Sequence, residues 1–418
     1  MGIKDVFGPF NRVVANTGEE KPISNSSLSA ILFVSTTEKK ELGKHSGAIS
    51  VDEISDLFTS SEPLKKKITS ALSQRDVNGN SITPNSFYTL GINFTEASDD
   101  DNKILNPLEL VLKQITVDYK EKSCVVIFED SSLILKKDTL ITGLDTVLLN
   151  WDSWSILLVK EEAEVKAVGM SLLSETSPTK SKKLLEARAV EELKPSLKGS
   201  SRLMGIKAYK NELVADAALA GRVIAKGVGK VDGEAKTLYG VTSEKLSITK
   251  GDNGTITNSE AMKWVDTYNT NIYVQTLHMY DETSGMKLFN GTEFINSWEL
   301  LKVKVDLSSD LAQFRHEREK VGTTVMDADE ILGILVNRLD ILTFEEGKAA
   351  ALQPNALLGD YHIAEVELDR SLLDNVNKFQ YVINVRLRGI AKWFALGITG
   401  HTSDKTFDAA VSLLGGGE

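Results

Sequence analysis

Two short segments set the terms of the fold: Ser29 to Thr37, SAILFVSTT, and Cys124 to Asp130, CVVIFED. Each opens on an uninterrupted apolar run, too short for a helix and without the alternation of a half-wet strand, so each reads as a buried strand. Around them the period of the pattern keeps changing. VDEISDLF, PLKKKITSALSQ and PLELVLKQITVDY read as helices, and NSFYTLGINF, WSILLVKEE and RLMGIKAY as strands. NELVADAALAGRVIAKG reads as a helix with Asn211 as its N-cap and Gly227 as its C-terminal stop. The charged stretch from Ser177 to Leu193 is helix-prone. Strands alternating with helices imply a layered α/β domain.

From Thr257 the texture changes. Thr257 and Glu260 have capping-box spacing ahead of AMKWVDTYN, and Asp327 and Glu330 repeat it ahead of ILGILVNRLDIL. In the latter, Ile331, Leu335 and Leu339 fall at four-residue steps, the mark of a helix with a buried face. NIYVQTLHMYD reads as a strand, GMKLFNGTEFI as a loop and strand, SWELLKVKVDLSSDLAQFRHEREK as a long helix, and GDYHIAEVELD as a strand. A chain of 418 residues exceeds the size at which one core stops growing, so two or three domains are expected.

The ends pose a separate problem. Apolar residues alternate at Phe379, Tyr381, Ile383, Val385 and Leu387, and after Gly389 the alternation resumes at Ile390, Phe394, Leu396 and Ile398. These read as two long strands with a short, Gly-rich tail after them, HTSDKTFDAAVSLLGGGE. A long open strand edge is a liability unless something pairs with it. At the other end, residues 1–28 look irregular yet contain Val6, Phe7, Phe10, Val13 and Val14, apolar groups that a plain linker does not need. Either the last two strands form a hairpin within one domain, or the chain ends pair with neighbouring subunits.

The search for chemistry returns little. None of His45, His278, His316, His362 and His401 lies at metal-ligand spacing from another, and no HExxH, CxxC, Walker A or GxSxG is present. GVGKVDG fails the dinucleotide fingerprint in spacing and in following a helix. The acidic run at Asp99 to Asp101 reads as a solvated loop, and Cys124 as a small buried side chain. Three sequons, at Asn93, Asn253 and Asn290, read as chance matches or turn residues. No catalytic residue, cofactor or metal site is expected; a dispersed enzyme site is the weaker alternative. A net charge of −11 argues against nucleic acid as the main partner. No apolar run approaches the ~18–20 residues of a membrane span, and no secretory signal is visible, so synthesis in a cytoplasm is expected.

The order of segments resembles the sheath proteins of contractile phage tails and related contractile injection particles. SNSSLSAILFVSTTEKKELGK looks like that family's opening strand and loop, and VDEISDLF and PLKKKITSAL like the helices after it. ADAALAGRVIAKGVGKVDGEAKTLYGVT is similar to its small-residue helix and turn, TNSEAMKWVDTYNTNIYVQTL to its helix–asparagine–strand passage, and VINVRLRGIAKWFALGITG to its terminal strands. Where family members carry Trp-Gly-Arg-Thr, this chain has GMKLFNGTEFIN.

The resemblance implies an α/β (α+β) fold. A tube-facing inner domain, built from both chain ends with a mixed sheet and helices, carries an inserted layered α/β domain. The expected divisions are an arm at 1–28, the α/β part at 29–256, the inner domain at 257–400 and a tail at 401–418. It implies a helical homo-oligomer of stacked rings around an inner tube, meeting baseplate and tail terminator proteins, with no nucleic acid and no membrane insertion. It would sit in a virion tail or contractile particle made in a bacterial host. Strand contacts between subunits are expected at Val6, Phe7, Phe10, Val13, Val14, Phe379, Tyr381, Ile383, Val385, Leu387, Phe394, Leu396 and Ile398, and tube-facing charges at Asp310, Arg315, Glu330 and Arg338. Another structural protein of such a particle (tube, baseplate or shell) is the alternative.

Overall fold

The two apolar runs become neighbouring strands at the centre of a large sheet. The computed structural model describes residues 29–58, 61–75, 79–84, 86–97, 99–173, 186–208, 214–225, 237–247, 255–275, 281–284, 286–320, 328–345, 356–365 and 380–387. Asn211, Gly227, Asp327, the arm, the tail and the second terminal strand lie outside them. The strands are β1 (Ser29–Ser35), β2 (Lys40–Ser46), β3 (Ser86–Gly91), β4 (Ser123–Phe128), β5 (Trp154–Leu158), β6 (Lys166–Leu173), β7 (Glu186–Leu193), β8 (Leu203–Lys207), β9 (Glu244–Ser247), β10 (Thr255–Thr257), β11 (Thr270–Gln275), β12 (Asp281–Thr283), β13 (Leu358–Glu365) and β14 (Tyr381–Leu387). The helices are α1 (Val51–Ser55), α2 (Glu62–Leu72), α3 (Asn102–Val117), α4 (Ser132–Leu135), α5 (Asp138–Asn150), α6 (Pro195–Lys198), α7 (Ala215–Ala225), α8 (Asn258–Met262), α9 (Phe294–Lys320) and α10 (Ala328–Leu342). The chain divides into two units, residues 1–338 and 339–418.

In the first unit, nine strands run in the order β10-β9-β11-β8-β5-β4-β1-β3-β2, and β12 pairs with β11 as a tenth. All neighbours from β3 to β10 are parallel; β2 and β12 are antiparallel additions. Alternate residues of β1 serve opposite faces, as the pleat requires. Ala30, Leu32 and Val34 join the core that includes Leu108, Leu112 and Ile115 of α3 and Ile141, Leu144 and Leu148 of α5. Ile31 and Phe33 join the other core, with Leu64 and Ile68 of α2, Ala217 and Ala218 of α7, and Phe294 and Trp298 of α9. All of these side chains are buried, and each large one contributes ~1.5–3 kcal/mol. This is the expected layered α/β architecture, with Cys124 buried inside it.

Helices α2 and α7 meet at close range because their contact surface is small. A Cβ on Gly221 would lie 2.2 Å from the Ala71 carbonyl oxygen, so only glycine fits there. Across the same contact runs a fully buried ion pair: Lys67 Nζ donates to Asp216 Oδ2 and to the Phe128 carbonyl oxygen, each at 2.6 Å. Thr257 and Glu260 form the expected capping box at the start of α8, and Ser50 and Glu53 form another at α1.

Three expectations change. Glu186–Leu193 is strand and not helix: β7 pairs along its length with β6, from Lys166–Leu193 to Leu173–Glu186. Pairing overrides the helix preference of Glu and Ala, and Glu191 bridges Lys166 at 2.5 Å and Lys263. The division expected after residue 256 is not an edge of the sheet, because β11 lies beyond it and pairs with both β8 and β9. In GMKLFNGTEFI the strand shrinks to one bridge, Lys287 to Glu293, around a turn with Gly291 at φ +83°, and Phe294 already opens α9. Asn290 and Asn93 act as turn residues, each accepting from the backbone two residues on.

Replacing Lys67 with Met leaves Asp216 buried and unpaired, which costs about 3–5 kcal/mol. Urea unfolding of K67M monitored by circular dichroism should show that loss; a cost below ~1 kcal/mol would mean that the pair contributes nothing to the α2–α7 contact.

Candidate functional site: an open two-stranded ribbon

In the second unit, β13 and β14 pair antiparallel, with Tyr361 opposite Val385, Ile363 opposite Ile383, and Glu365 opposite Tyr381. A bulge interrupts the register between Leu358 and Asp360. The ribbon is amphipathic. Tyr361 and Ile363 of β13 and Tyr381, Ile383, Val385 and Leu387 of β14 are half-buried, while Asp360, His362, Val382, Asn384 and Arg386 are exposed. The expected alternation from Tyr381 to Leu387 is therefore real. Among the described residues this strand pairs with β13; the segment after Gly389 lies outside them, together with Phe379, Phe394, Leu396 and Ile398. Val6, Phe7, Phe10, Val13 and Val14 lie outside them too.

The ribbon is tied to the end of α10. The Phe344 N–H donates to the Leu358 carbonyl and the Leu357 N–H to the Leu342 carbonyl, both at 2.8 Å. Tyr361 Oη donates to Asp340 Oδ1 at 2.6 Å, and that bond, with burial, pushes the phenol up to about 12. Among the described residues no further strand joins the ribbon, and the outer edge of β13 is met only at Leu358, by a parallel bridge to Thr343. A lone two-stranded ribbon is marginally stable in water, and each backbone bond added at an edge contributes a net ~0.5–1.5 kcal/mol. The large sheet treats its edges differently. β2 has a bulge between Lys40 and Gly43 and carries Lys40 and Lys44, and β10 is three residues long. Charge, bulging and shortness are the usual protections of an edge. β14, with Val382 45% exposed beside its half-buried apolar face, is less protected.

The four charged positions on the long helices fall into an antiparallel pair. Arg338 on α10 grips Asp310 on α9 in a two-point contact, Nε to Oδ2 at 2.5 Å and Nη2 to Oδ1 at 2.6 Å, and Arg318 pairs with Glu330. The Asp310 contact raises the Arg338 guanidinium above its ordinary value. Arg315 is half-buried. Sequence reasoning missed these pairings, because residues 28 positions apart show no spacing signal. Among the described residues no group of His, Cys, Asp or Glu could hold a metal ion, and His316 and His362 are exposed. No helix among them is long and apolar enough to cross a membrane.

No protein-family model and no curated protein matches the sequence. Solved structures do match the fold. A chain from the cryo-EM structure of the anti-feeding prophage (AFP) baseplate superposes with a TM-score of 0.51 at 12% identity, over 93% of this chain and 99% of that one. A chain from the PVC sheath complex of an extracellular contractile injection system, in its contracted state, gives 0.51 at 10% identity, over 93% and 97%. The fold is shared with chains of these contractile-particle structures. At this identity the likeness lies in the arrangement of elements, since little sequence is shared.

Removing the Arg338 guanidinium with Arg338→Met should weaken the α9–α10 pairing by about 1 kcal/mol. Amides from Asp310 to Lys320 should then exchange faster by hydrogen-exchange mass spectrometry; unchanged rates would show that apolar packing alone holds the two helices.

Proposed function

We propose that this chain is a structural, non-enzymatic subunit of a contractile sheath. Copies polymerise as stacked rings around an inner tube, exchange strands with their neighbours, and contract to drive the tube through a cell envelope. The observation that supports the reading best is the β13–β14 ribbon, an amphipathic pair that among the described residues is joined by no further strand and is bridged only at Leu358, while the edges of the large sheet are blunted. Strand addition from another copy completes such an edge through backbone hydrogen bonds, whatever the side chains. Repeated head to tail, that contact generates rings and helical polymers and not closed dimers. A joint of this kind also lets rigid bodies swing without parting.

In this reading the arm at 1–28 and the segment around Phe394, Leu396 and Ile398 supply the added strands. On the same reading the large sheet, with strands from residues 29 to 283, belongs to the outward body, and the tube-facing part draws on the chain after it. The α9–α10 pair, with Asp310, Arg315, Glu330 and Arg338, faces the tube. Partners are further copies of the chain, the tube, the baseplate and a tail terminator. The particle is made in a bacterial host's cytoplasm, and its contraction consumes no cofactor. The match to a chain of the AFP baseplate structure favours a second reading, a baseplate component of such a particle.

Negative-stain microscopy of the purified protein separates these readings. A sheath subunit forms tubes, stacked rings or short helical polymers, whereas a baseplate component forms single assemblies of limited size. Deleting residues 1–16 or 401–418 should abolish polymerisation and leave a folded monomer by circular dichroism. Normal polymerisation of both truncations would rule out exchanged chain ends.

A further inference from the structure

The large sheet has a topological switch point. From β1 the chain passes through α2, packed on one face, to β3 on one side of β1; from β3 it passes through α3, on the other face, to β4 on the opposite side. Open parallel sheets of this kind take ligands in the crevice outside the C-terminal ends of the strands flanking the switch, here β1 and β4. In this protein the position is filled from within. Glu129, the first residue after β4, directs its carboxylate at the turn that leaves β1. Its Oε2 accepts from Ser35 Oγ at 2.8 Å, from the Thr36 N–H at 2.9 Å and from Thr37 Oγ1 at 3.0 Å, and its Oε1 accepts from Thr37 Oγ1 at 3.3 Å. The backbone fixes the approach, since the Glu129 N–H donates to the Val34 carbonyl at 2.8 Å.

Two hydroxyls and a backbone N–H converging on one point form an anion cradle made of neutral donors. Glu129 is only 8% exposed, and the fully buried Ser61 hydroxyl lies against the same carboxylate without a hydrogen bond of normal geometry. Burial alone would raise the Glu129 carboxyl. The donated bonds outweigh burial and hold it below the ordinary carboxylate range.

We propose that Glu129 is an internal ligand: its carboxylate occupies the oxyanion position at the switch point, and removing it uncovers a site for a small carboxylate. The crevice that receives substrates in doubly wound enzymes is sealed here by a strap between the exits of β1 and β4. This inference stands apart from the sheath reading, because it concerns the first unit alone and its test needs no assembly.

The test is thermal unfolding of the full chain carrying Glu129→Ala, in sodium formate and in sodium chloride at equal ionic strength. The variant should melt below wild type in chloride, and formate should raise its midpoint along a saturable curve, by the linkage of ligand to folded state. Wild type and Glu129→Gln, whose cradles remain filled, should melt alike in the two salts. Melting of Glu129→Ala at the wild-type temperature, or equal effects of both salts on all three proteins, overturns the proposal. Thr37→Val keeps the carboxylate and removes one donor, so it remains informative if Glu129→Ala fails to fold. A carboxylate with a depressed folded-state pKa stabilises above its unfolded value and loses that contribution as pH falls through the folded one. Losing a donor raises the folded value, so acid unfolding of Thr37→Val should begin at higher pH than in wild type; an unmoved acid transition contradicts the cradle.

Discussion

Every strand that lacks a neighbour on one side carries a row of N–H and C=O groups that must be hydrated, paired or hidden. That constraint organises both units of this protein. In the large sheet it is met within the chain: seven parallel strands from β9 to β3 satisfy one another, β2 closes one side with a bulged, lysine-bearing strand, and β10 closes the other with three residues. In the β13–β14 ribbon, among the described residues, pairing along the outer edges is confined to the bridge between Leu358 and Thr343.

The body owes its rigidity to contacts that tolerate little adjustment. Gly221 lets α7 approach the backbone of α2, and Lys67, Asp216 and the Phe128 carbonyl form a buried junction between both helices and the end of β4. One residue further along, Glu129 ties β4 to the exit of β1. Polar groups buried this deeply are stabilising only while fully paired. The two junctions therefore fix the C-terminal end of the central strands, where doubly wound folds ordinarily keep an open crevice.

The sequence made some of this legible and concealed the rest for physical reasons. SAILFVS and CVVIF announced buried strands because both of their faces are covered, and the Thr257–Glu260 box announced a helix start because its two bonds are local. The alternation from Tyr381 to Leu387 announced an amphipathic strand, but its partner β13 is about twenty residues away in sequence and could not be read from periodicity. β7 was hidden because EARAVEEL has the composition of a helix and becomes a strand only by pairing with β6. The Asp310–Arg338 contact and the Glu129 cradle depend on residues brought together by the fold, and no spacing rule finds them.

Hydrogen exchange at Tyr381–Leu387, compared between dilute monomer and assembled polymer, tests the central claim most directly. In an antiparallel pair only the amides facing the partner strand are protected. The account predicts that the outward-facing amides of β14 exchange freely in the monomer and become protected on assembly. Full protection of every β14 amide in a monomer too dilute to associate would contradict it.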